Sequence, residues 1–319
     1  MTLSGIFNGV NYLKGVCRQM EVPQTKSSGI ISQYWHWIVN ELSQMAKPMV
    51  MLFGLGAGFQ LSLWLSGAHT FDATVTFFAT VISLLCVTSM SSGFAINGLV
   101  GAISVFLLVS VALKNHLYAT AIDQLIFLLL IDIPLMRHWR TWSDDLRKKA
   151  RVLNGDGWLV IAIFATIAFV IFQKITIPVV QWSAVGGAIV ASGIYAIRNP
   201  HRFKGYQALA HIAVTVAIWL VVLYPLFVYL KDASPLWDSA VLSIGALASY
   251  LNFRFYTNTY DLWMLSNIFN LVLWFSMLQA NPSGASLPML VSSIMFTANA
   301  VYGRWFSVWR DGAKKAIAS

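Results

Sequence analysis

The chain has 319 residues, of which 58% are hydrophobic and only 10% are charged, whereas soluble domains carry about 25% charged residues. This composition leaves no room for a large soluble domain and predicts an all-α polytopic membrane protein. The formal net charge of +9 does not indicate a nucleic-acid partner, because the basic residues lie in loops and tails, where they set membrane topology.

The first segment of the chain, residues 1–47, is of mixed composition. We expect a cytoplasmic or interfacial segment, anchored by Trp35 and Trp37 or docked on the helix bundle as a solvated tail. It does not read as a cleavable signal peptide, because charged residues precede the first long apolar run. The two cysteines, Cys17 and Cys86, lie far apart, and their spacing predicts neither a metal site nor a disulfide.

Long apolar runs then follow one another closely. Each is long enough, or nearly so, for the roughly 20 residues that a membrane span requires. We therefore expect about ten transmembrane helices, at residues 48–67, 71–90, 94–113, 117–137, 157–173, 176–197, 206–230, 236–255, 259–279 and 285–306.

The basic residues support this count. With ten spans, the N-terminal segment, the 138–156 loop, the 198–205 loop and the 310–319 tail all lie on one side of the membrane, and each is basic. The other side receives only Lys114, Lys174 and Lys231. The positive-inside rule then predicts a multi-pass protein of the inner (cytoplasmic) membrane with both termini cytoplasmic.

The ninth run carries a stripe of amides and large aromatic residues. At about 100° per residue, the steps of three and four residues place its members within roughly 80° of the helix surface. Buried amides in a membrane need hydrogen-bond partners, so the stripe should face protein or a polar cavity. We interpret it as one wall of a solute site, formed by Tyr260, Trp263, Asn267, Asn270 and Trp274.

Two other runs carry polar and small residues at helical spacing. The last run places Asn299 deep in the span and Gly303 one turn later, where another backbone could approach closely. The third run contains Asn97, Gly101 and Ser104. Residues of these types at this spacing are equally typical of helix packing and of solute binding.

The fourth run, residues 117–137, contains Asp123, Gln124 and Asp132. Carboxylates inside a membrane are costly, so each invites a functional interpretation. Asp123 lies near the outer end, where it can reach water, and Asp132 lies near the cytoplasmic end, where an ion pair with a nearby arginine is the alternative. On an ideal helix Gln124 is about 80° from Asp132 and Asp123 is nearly opposite it, so we expect Gln124 and Asp132 to serve one face without Asp123.

These motifs, in this order, resemble the PnuC family of vitamin-precursor transporters, whose best-known members carry nicotinamide riboside. Where the family has Trp-x-x-Trp-x-x-x-Asn, this chain reads Tyr-Asp-Leu-Trp-Met-Leu-Ser-Asn at residues 260–267. Its Asn-Ala-Val-Tyr-Gly at residues 299–303, followed by Trp309, is similar to the family's Asn-x-x-Tyr-Gly ending. The resemblance covers roughly residues 71–142 and 206–311.

The chain departs from the family pattern at positions that the resemblance implies face the ligand. Tyr260 stands where the family has Trp, Gln124 where it has Asn, Asp132 where it has Gln, and Ser104 replaces an expected amide. These changes bear on the solute more than on the family. A carboxylate favours a cation such as nicotinamide riboside or thiamine, and relatives also carry riboflavin or deoxynucleosides.

The resemblance also implies a 3+1+3 pseudo-symmetric core, as in the SWEET sugar transporters, with its site at the repeat interface. The first triplet would be residues 71–137, the connecting helix 206–230 and the second triplet 236–309. Residues 48–67 would form a peripheral helix, and residues 157–197 an inserted helix pair without a clear family counterpart.

We therefore predict a facilitated or secondary transporter for nicotinamide riboside that feeds NAD synthesis, with no enzymatic activity and no cofactor or metal. In the family, uptake is thought to be drawn inward by phosphorylation of the solute. Aromatic residues would stack on the solute ring, and amides would bond its ribose hydroxyls or carboxamide. The candidate substrate-binding residues are Tyr260, Trp263, Asn267, Asn299, Gln124, Asp132, Asn97, Ser104 and Asn270.

Two other classes stay open. An integral membrane enzyme acting on lipid head groups would use Asp132, His138 and the basic 137–151 loop, although no metal-binding or nucleophile motif accompanies them. A non-transporting scaffold would use the polar stripes only for helix packing. The partners expected are a small-molecule solute and the lipid bilayer, with a homo-oligomer left open.

Overall fold

The computed structural model describes residues 30–280 and 282–310. The predictions for residues 1–29 and for the tail beyond residue 310 lie outside this part of the chain. The chain divides into two compact units, Met1–Asn40 and Glu41–Ser319. In the first unit, the described residues form the beginning of helix α1; the second unit contains all the remaining elements.

The described chain is helical throughout, apart from turns, loops and one isolated parallel bridge between Arg151 and Tyr256. Both α5 and α9 are continuous helices that contain a π-helical turn. In chain order the helices are α1 (Ile30–Ser43), α2 (Lys47–Ser66), α3 (Phe71–Ser91), α4 (Ile96–Lys114), α5 (Tyr118–Arg137), α6 (Trp142–Lys149), α7 (Gly157–Lys174), α8 (Pro178–Arg198), α9 (Gln207–Tyr229), α10 (Pro235–Phe253), α11 (Thr259–Ala280) and α12 (Ser286–Trp305).

The predicted all-α polytopic membrane fold is confirmed. Among the described residues, eight helices are long and apolar enough to cross a bilayer, namely α2, α3, α4, α5, α7, α8, α9 and α11. Helices α10 and α12 have 19 and 20 residues and coincide with two further predicted runs. The count of ten spans stays a prediction.

The π turns of α5 and α9 lie at Leu128–Asp132 and Trp219–Leu223. Each is followed closely by a proline, Pro134 in α5 and Pro225 in α9. Proline has no N–H to donate, and its ring clashes with the carbonyl four residues earlier in a regular α-helix. A wider turn relieves that clash, and it also changes the direction in which later side chains point.

Six of the helices form two groups of three. Helices α3, α4 and α5 pack in sequence, as do α10, α11 and α12, and the groups meet where α5 packs on α10 and α3 packs on α12. Around them, α2 packs on α3 and α12, α7 packs on α8 and α11, and α9 packs on α10. Helix α8 buries none of its residues, so its apolar side chains are available to lipid.

The interface between α5 and α10 is close because α10 presents small residues there. Ala240 and Ala248 are fully buried, and a side chain on Gly245 would overlap Asp123 of α5. In a membrane, where burial of apolar surface drives little association, close packing of this kind supplies much of the attraction between helices.

Carboxylates hold the start of α5 to neighbouring elements. Asp238 of α10 accepts hydrogen bonds from the backbone N–H groups of Ala119 and Thr120, each at 2.9 Å, and Asp232 accepts one from Tyr118 at 2.8 Å. The first N–H groups of a helix have no partner within it and favour negative charge. The α5–α10 interface is therefore fixed by polar contacts as well as by packing.

The opposite end of α5 lies at what we call the basic end of the bundle, formed by the loops 138–156 and 199–206. There Arg202 Nε donates to both carboxylate oxygens of Asp156 at 3.0 Å, and Asn258 donates to the same carboxylate at 3.0 Å. Arg304 of α12 pairs with Asp261 of α11 at 2.7 Å. This network ties the segments before α7 and α9 to α11 and α12.

Candidate functional site

A cavity of about 140 Å3 lies between the two groups of three helices. Its lining residues come from all six of these helices, α3, α4, α5, α10, α11 and α12, and from none of the others. A larger groove of about 610 Å3 lies between α5, α9 and α10, but its lining is almost entirely apolar. The smaller cavity is the candidate site because it combines amides, hydroxyls, indoles and a carboxyl group.

Helix α11 contributes the predicted stripe. Four of its five members line the cavity, and they are Trp263, Asn267, Asn270 and Trp274. Asn267 and Asn270 are only half-buried, so their amides remain accessible from the cavity. The 3.6-residue period of a straight helix is sufficient to explain why these four side chains lie together.

Tyr260, the fifth member, is fully buried and does not line the cavity. Its ring packs edge-on against Trp263, with centroids 5.0 Å apart, and against Trp309, with centroids 5.6 Å apart. Gly303 makes room for it, since a Cβ at Gly303 would lie only 2.6 Å from Tyr260 Cζ. The group that approaches Gly303 is therefore an aromatic ring and not the backbone that we expected. The same ring packs against Trp263, which lines the cavity.

Helix α5 places its polar residues differently from our expectation. Asp123 and Gln124 both line the cavity, whereas Asp132 does not. Asp132 is fully buried with its carboxyl group against Gly101 of α4, and neither carboxyl oxygen has a hydrogen-bond partner in the described part of the chain. The angular comparison assumed a regular helix, but the π turn at Leu128–Asp132 lies between these residues.

The alternative interpretation of Asp132, an ion pair with a nearby arginine, is not observed among the described residues either. Gly98 and Gly101 lack side chains on the face of α4 that meets α5, and the Asp132 carboxyl and the α5 backbone occupy that space. Asp132 therefore lies in the α4–α5 interface, apart from the cavity.

The remaining predicted residues divide in the same way. Ser104 and Asn299 line the cavity, and the amide oxygen of Asn299 accepts a hydrogen bond from Ser91 of α3 at 2.9 Å. Asn97 does not line it; its amide is buried and has no hydrogen-bond partner among the residues that the structure describes. Six of the nine predicted residues therefore line the cavity, and Tyr260, Asp132 and Asn97 do not.

Helix α3 supplies a wall that the sequence reasoning missed. Ser83, Cys86, Val87 and Met90 line the cavity. They recur at steps of three, one and three residues, the spacing of one helix face. The available signal was the recurrence of small polar residues along this run, which is otherwise apolar.

The lining is suited to a small polar aromatic solute. Amides can both donate and accept hydrogen bonds, so Gln124, Asn267 and Asn270 can bind hydroxyl and carboxamide groups. The indoles of Trp263 and Trp274 offer flat faces and an N–H donor. Among the residues that the structure describes, no cluster of metal-ligating side chains occurs.

Comparison with known proteins gives one family and one similar structure. The family model for nicotinamide mononucleotide transporters matches residues 73–198 and 177–311, ranges that contain every residue lining the cavity. The crystal structure of the vitamin B3 transporter PnuC is 19% identical, with a TM-score of 0.58, and the alignment covers 88% of this chain and 98% of that one. No curated protein sequence matches. The chain therefore belongs to the nicotinamide mononucleotide transporter family, also called the PnuC family, and is a membrane transporter.

Proposed function

We propose that this protein carries nicotinamide riboside across the membrane through the cavity between its two helix triplets, α3–α5 and α10–α12. The observation that carries the proposal is the amide and indole stripe of α11, which faces a cavity lined by all six helices. Membership of the family supports a vitamin-precursor solute, and the polar lining supports one that carries hydroxyl or carboxamide groups.

Each part of the solute has a matching group. Trp263 would stack on the pyridinium ring, and a cation over an indole gains roughly 0.5–2 kcal/mol. Asn267, Asn299 and Gln124 would bond the ribose hydroxyls or the carboxamide, with Asn270 and Ser104 as further partners. The cavity, at about 140 Å3, is smaller than the roughly 300–1,000 Å3 of typical ligand pockets, so the helices must separate to admit the solute.

The packing of the two triplets supports alternating access. The first helix of each triplet packs on the third helix of the other, as α10 on α5 and α3 on α12. Parallel repeats related by an axis along the membrane normal are expected to meet in this way. We therefore propose a 3+1+3 core in which α9 is the connecting helix and the triplets rock about the solute.

The loop charges support an orientation. The basic loops 138–156 and 199–206 lie at the same end of the bundle. The positive-inside rule favours a cytoplasmic location for that end. We therefore propose an inner-membrane protein with both termini in the cytoplasm.

The alternatives differ in how well the site supports them. Thiamine, riboflavin or a deoxynucleoside could occupy the same cavity. A membrane enzyme that uses Asp132 on lipid head groups is disfavoured, because Asp132 has no exposed surface.

Uptake of labelled nicotinamide riboside into proteoliposomes tests the proposal. We expect the Trp263→Ala and Asn267→Ala variants to lose uptake while inserting normally into the membrane. Trp182→Ala is the matched control, because Trp182 is 66% exposed and lies on α8, which contributes no residue to the cavity lining; uptake by this variant should be unchanged. Normal uptake by both cavity variants would refute the site, and uptake of another vitamin precursor in place of nicotinamide riboside would refute the solute.

A further inference from the structure

Asp123 is the acidic side chain of the described cavity lining. No other Asp or Glu, and no Lys, Arg or His, is among the described residues that line the cavity. The Oδ1 atom of Asp123 is shielded from solvent and has no hydrogen-bond partner within residues 30–280 and 282–310. Cys86 is the other ionisable group in the lining, and it cannot supply a positive charge.

The position of Asp123 is set by its neighbours. On α10, Gly245 provides the space for the carboxyl group, since a Cβ there would lie 2.8 Å from Asp123 Cγ. One helical turn earlier, the start of α5 is already neutralised by Asp232 and Asp238, which accept its first N–H groups. That helix terminus is therefore not available to balance the charge of Asp123.

A carboxylate oxygen that is shielded from water without a partner costs free energy, and inside a membrane such groups commonly belong to solute or ion pathways. The described lining of the cavity provides no cation for Asp123, although the protein pairs Asp261 with Arg304 and Asp156 with Arg202 elsewhere. The partner that would satisfy the carboxylate is a positively charged solute.

We infer that Asp123 is the counter-ion of a cationic heteroaromatic ring and makes the cavity selective for monocations over neutral solutes of the same shape. The inference rests on the proposed solute-binding function and narrows it: nicotinamide riboside and thiamine carry a permanent ring charge, whereas riboflavin and deoxynucleosides do not. Trp263 adds to the same preference, because the face of an indole attracts cations.

The test compares two solutes that differ only in ring charge and saturation. Purified protein is titrated with nicotinamide riboside and with its 1,4-dihydro form, which keeps the ribose and carboxamide but is neutral. We expect the unmodified protein to prefer the cation. Asp123→Asn should weaken nicotinamide riboside binding about 10- to 100-fold, the range that Coulomb attraction gives for opposite unit charges about 6 Å apart at an effective dielectric constant of about 20 to 40, and leave binding of the dihydro form unchanged.

Two further variants sharpen the comparison. Asp144→Asn removes an exposed carboxylate of α6 that does not line the cavity, and it should change neither affinity. Gly245→Ala places a methyl group where the Asp123 carboxyl lies and should weaken binding of the cation more than binding of the dihydro form.

Each outcome has a distinct meaning. Equal losses of both solutes in Asp123→Asn, or no loss of either, would overturn the counter-ion role. Preference of the unmodified protein for neutral solutes would also overturn it, while leaving a transport function intact. Binding of thiamine in place of nicotinamide riboside, with the same loss in Asp123→Asn, would uphold the counter-ion and overturn only the proposed solute.

Discussion

Gly303→Ala adds one methyl group where the Tyr260 ring packs, so we expect this small change to lower the free energy of unfolding. The methyl would lie 2.6 Å from Tyr260 Cζ and closer still to two other ring atoms, and the ring cannot easily retreat because Trp263 and Trp309 contact it. Overpacking a core costs about 1–3 kcal/mol, and replacing glycine by alanine within a helix returns about 0.5–1 kcal/mol. With a ring held on both sides, we expect Gly303→Ala to destabilise the protein by about 2 kcal/mol.

Gly186→Ala is the matched control, because a Cβ at Gly186 on α8 would have no described atom within 4 Å apart from its chain neighbours and its own helix backbone. It should stabilise the protein by about 0.5–1 kcal/mol, the ordinary helix preference of alanine. Unfolding of both purified variants in a denaturing detergent titration, followed by tryptophan fluorescence, measures the two effects.

The same substitution should also weaken solute binding, because the displaced Tyr260 ring pushes Trp263 into the cavity. In a Tyr260→Ala background the ring is gone, so Gly303→Ala should no longer destabilise; this coupling between neighbours is measured by a double-mutant cycle. If Gly303→Ala proves as stable as Gly186→Ala, the packing of Tyr260 described above is incorrect.

Three further predictions follow from buried polar groups. Arg304→Met should lower the free energy of unfolding in detergent by about 3–5 kcal/mol, because it leaves Asp261 buried without its cation. Adding Asp261→Leu should recover most of that loss. An Arg304→Met variant as stable as the unmodified protein would contradict this prediction. Asp132→Asn should leave nicotinamide riboside affinity unchanged within about twofold, since Asp132 lies outside the cavity; a titration that shows a larger loss would return Asp132 to the site. Asp238→Ala should destabilise by about 1–3 kcal/mol through the unpaired N–H groups at the start of α5, and thermal unfolding equal to that of the unmodified protein would count against this cap.

Periodicity within a single straight helix was predictable. The stripe on α11 needed only the 3.6-residue repeat, and four of its members line the cavity. Tyr260 has the same spacing but lies at the start of α11, where Gly303 and Trp309 of another segment enclose its ring. That enclosure depends on residues more than forty positions away, which helical spacing alone does not reveal.

The placement of the two aspartates of α5 was not predictable from spacing. An ideal helix puts Asp132 near the face of Gln124, but Pro134 is accompanied by a π turn that changes the register. The cavity also does not extend to Asp132. The Asp132 carboxyl group instead packs against Gly101 of α4, where the absence of a side chain leaves room for it. Depth along the helix and the shape of the partner decide which carboxyl group faces the solute.

The loop charges had a second role that sequence alone did not indicate. Arg202 belongs to the basic 198–205 loop that supports the topology, and it is also paired with the buried carboxylate of Asp156, 46 residues earlier in the chain. Pairings across such distances depend on how helices α7 to α12 come together, and the positive-inside rule is silent about them.

A structure of the purified protein at saturating nicotinamide riboside tests whether this solute binds between the two helix triplets. We expect solute density in the cavity, with the pyridinium ring against Trp263 and near Asp123 and the ribose beside the amides of Asn267 and Gln124. Solute density at another place, or a cavity without solute at saturation, would contradict it.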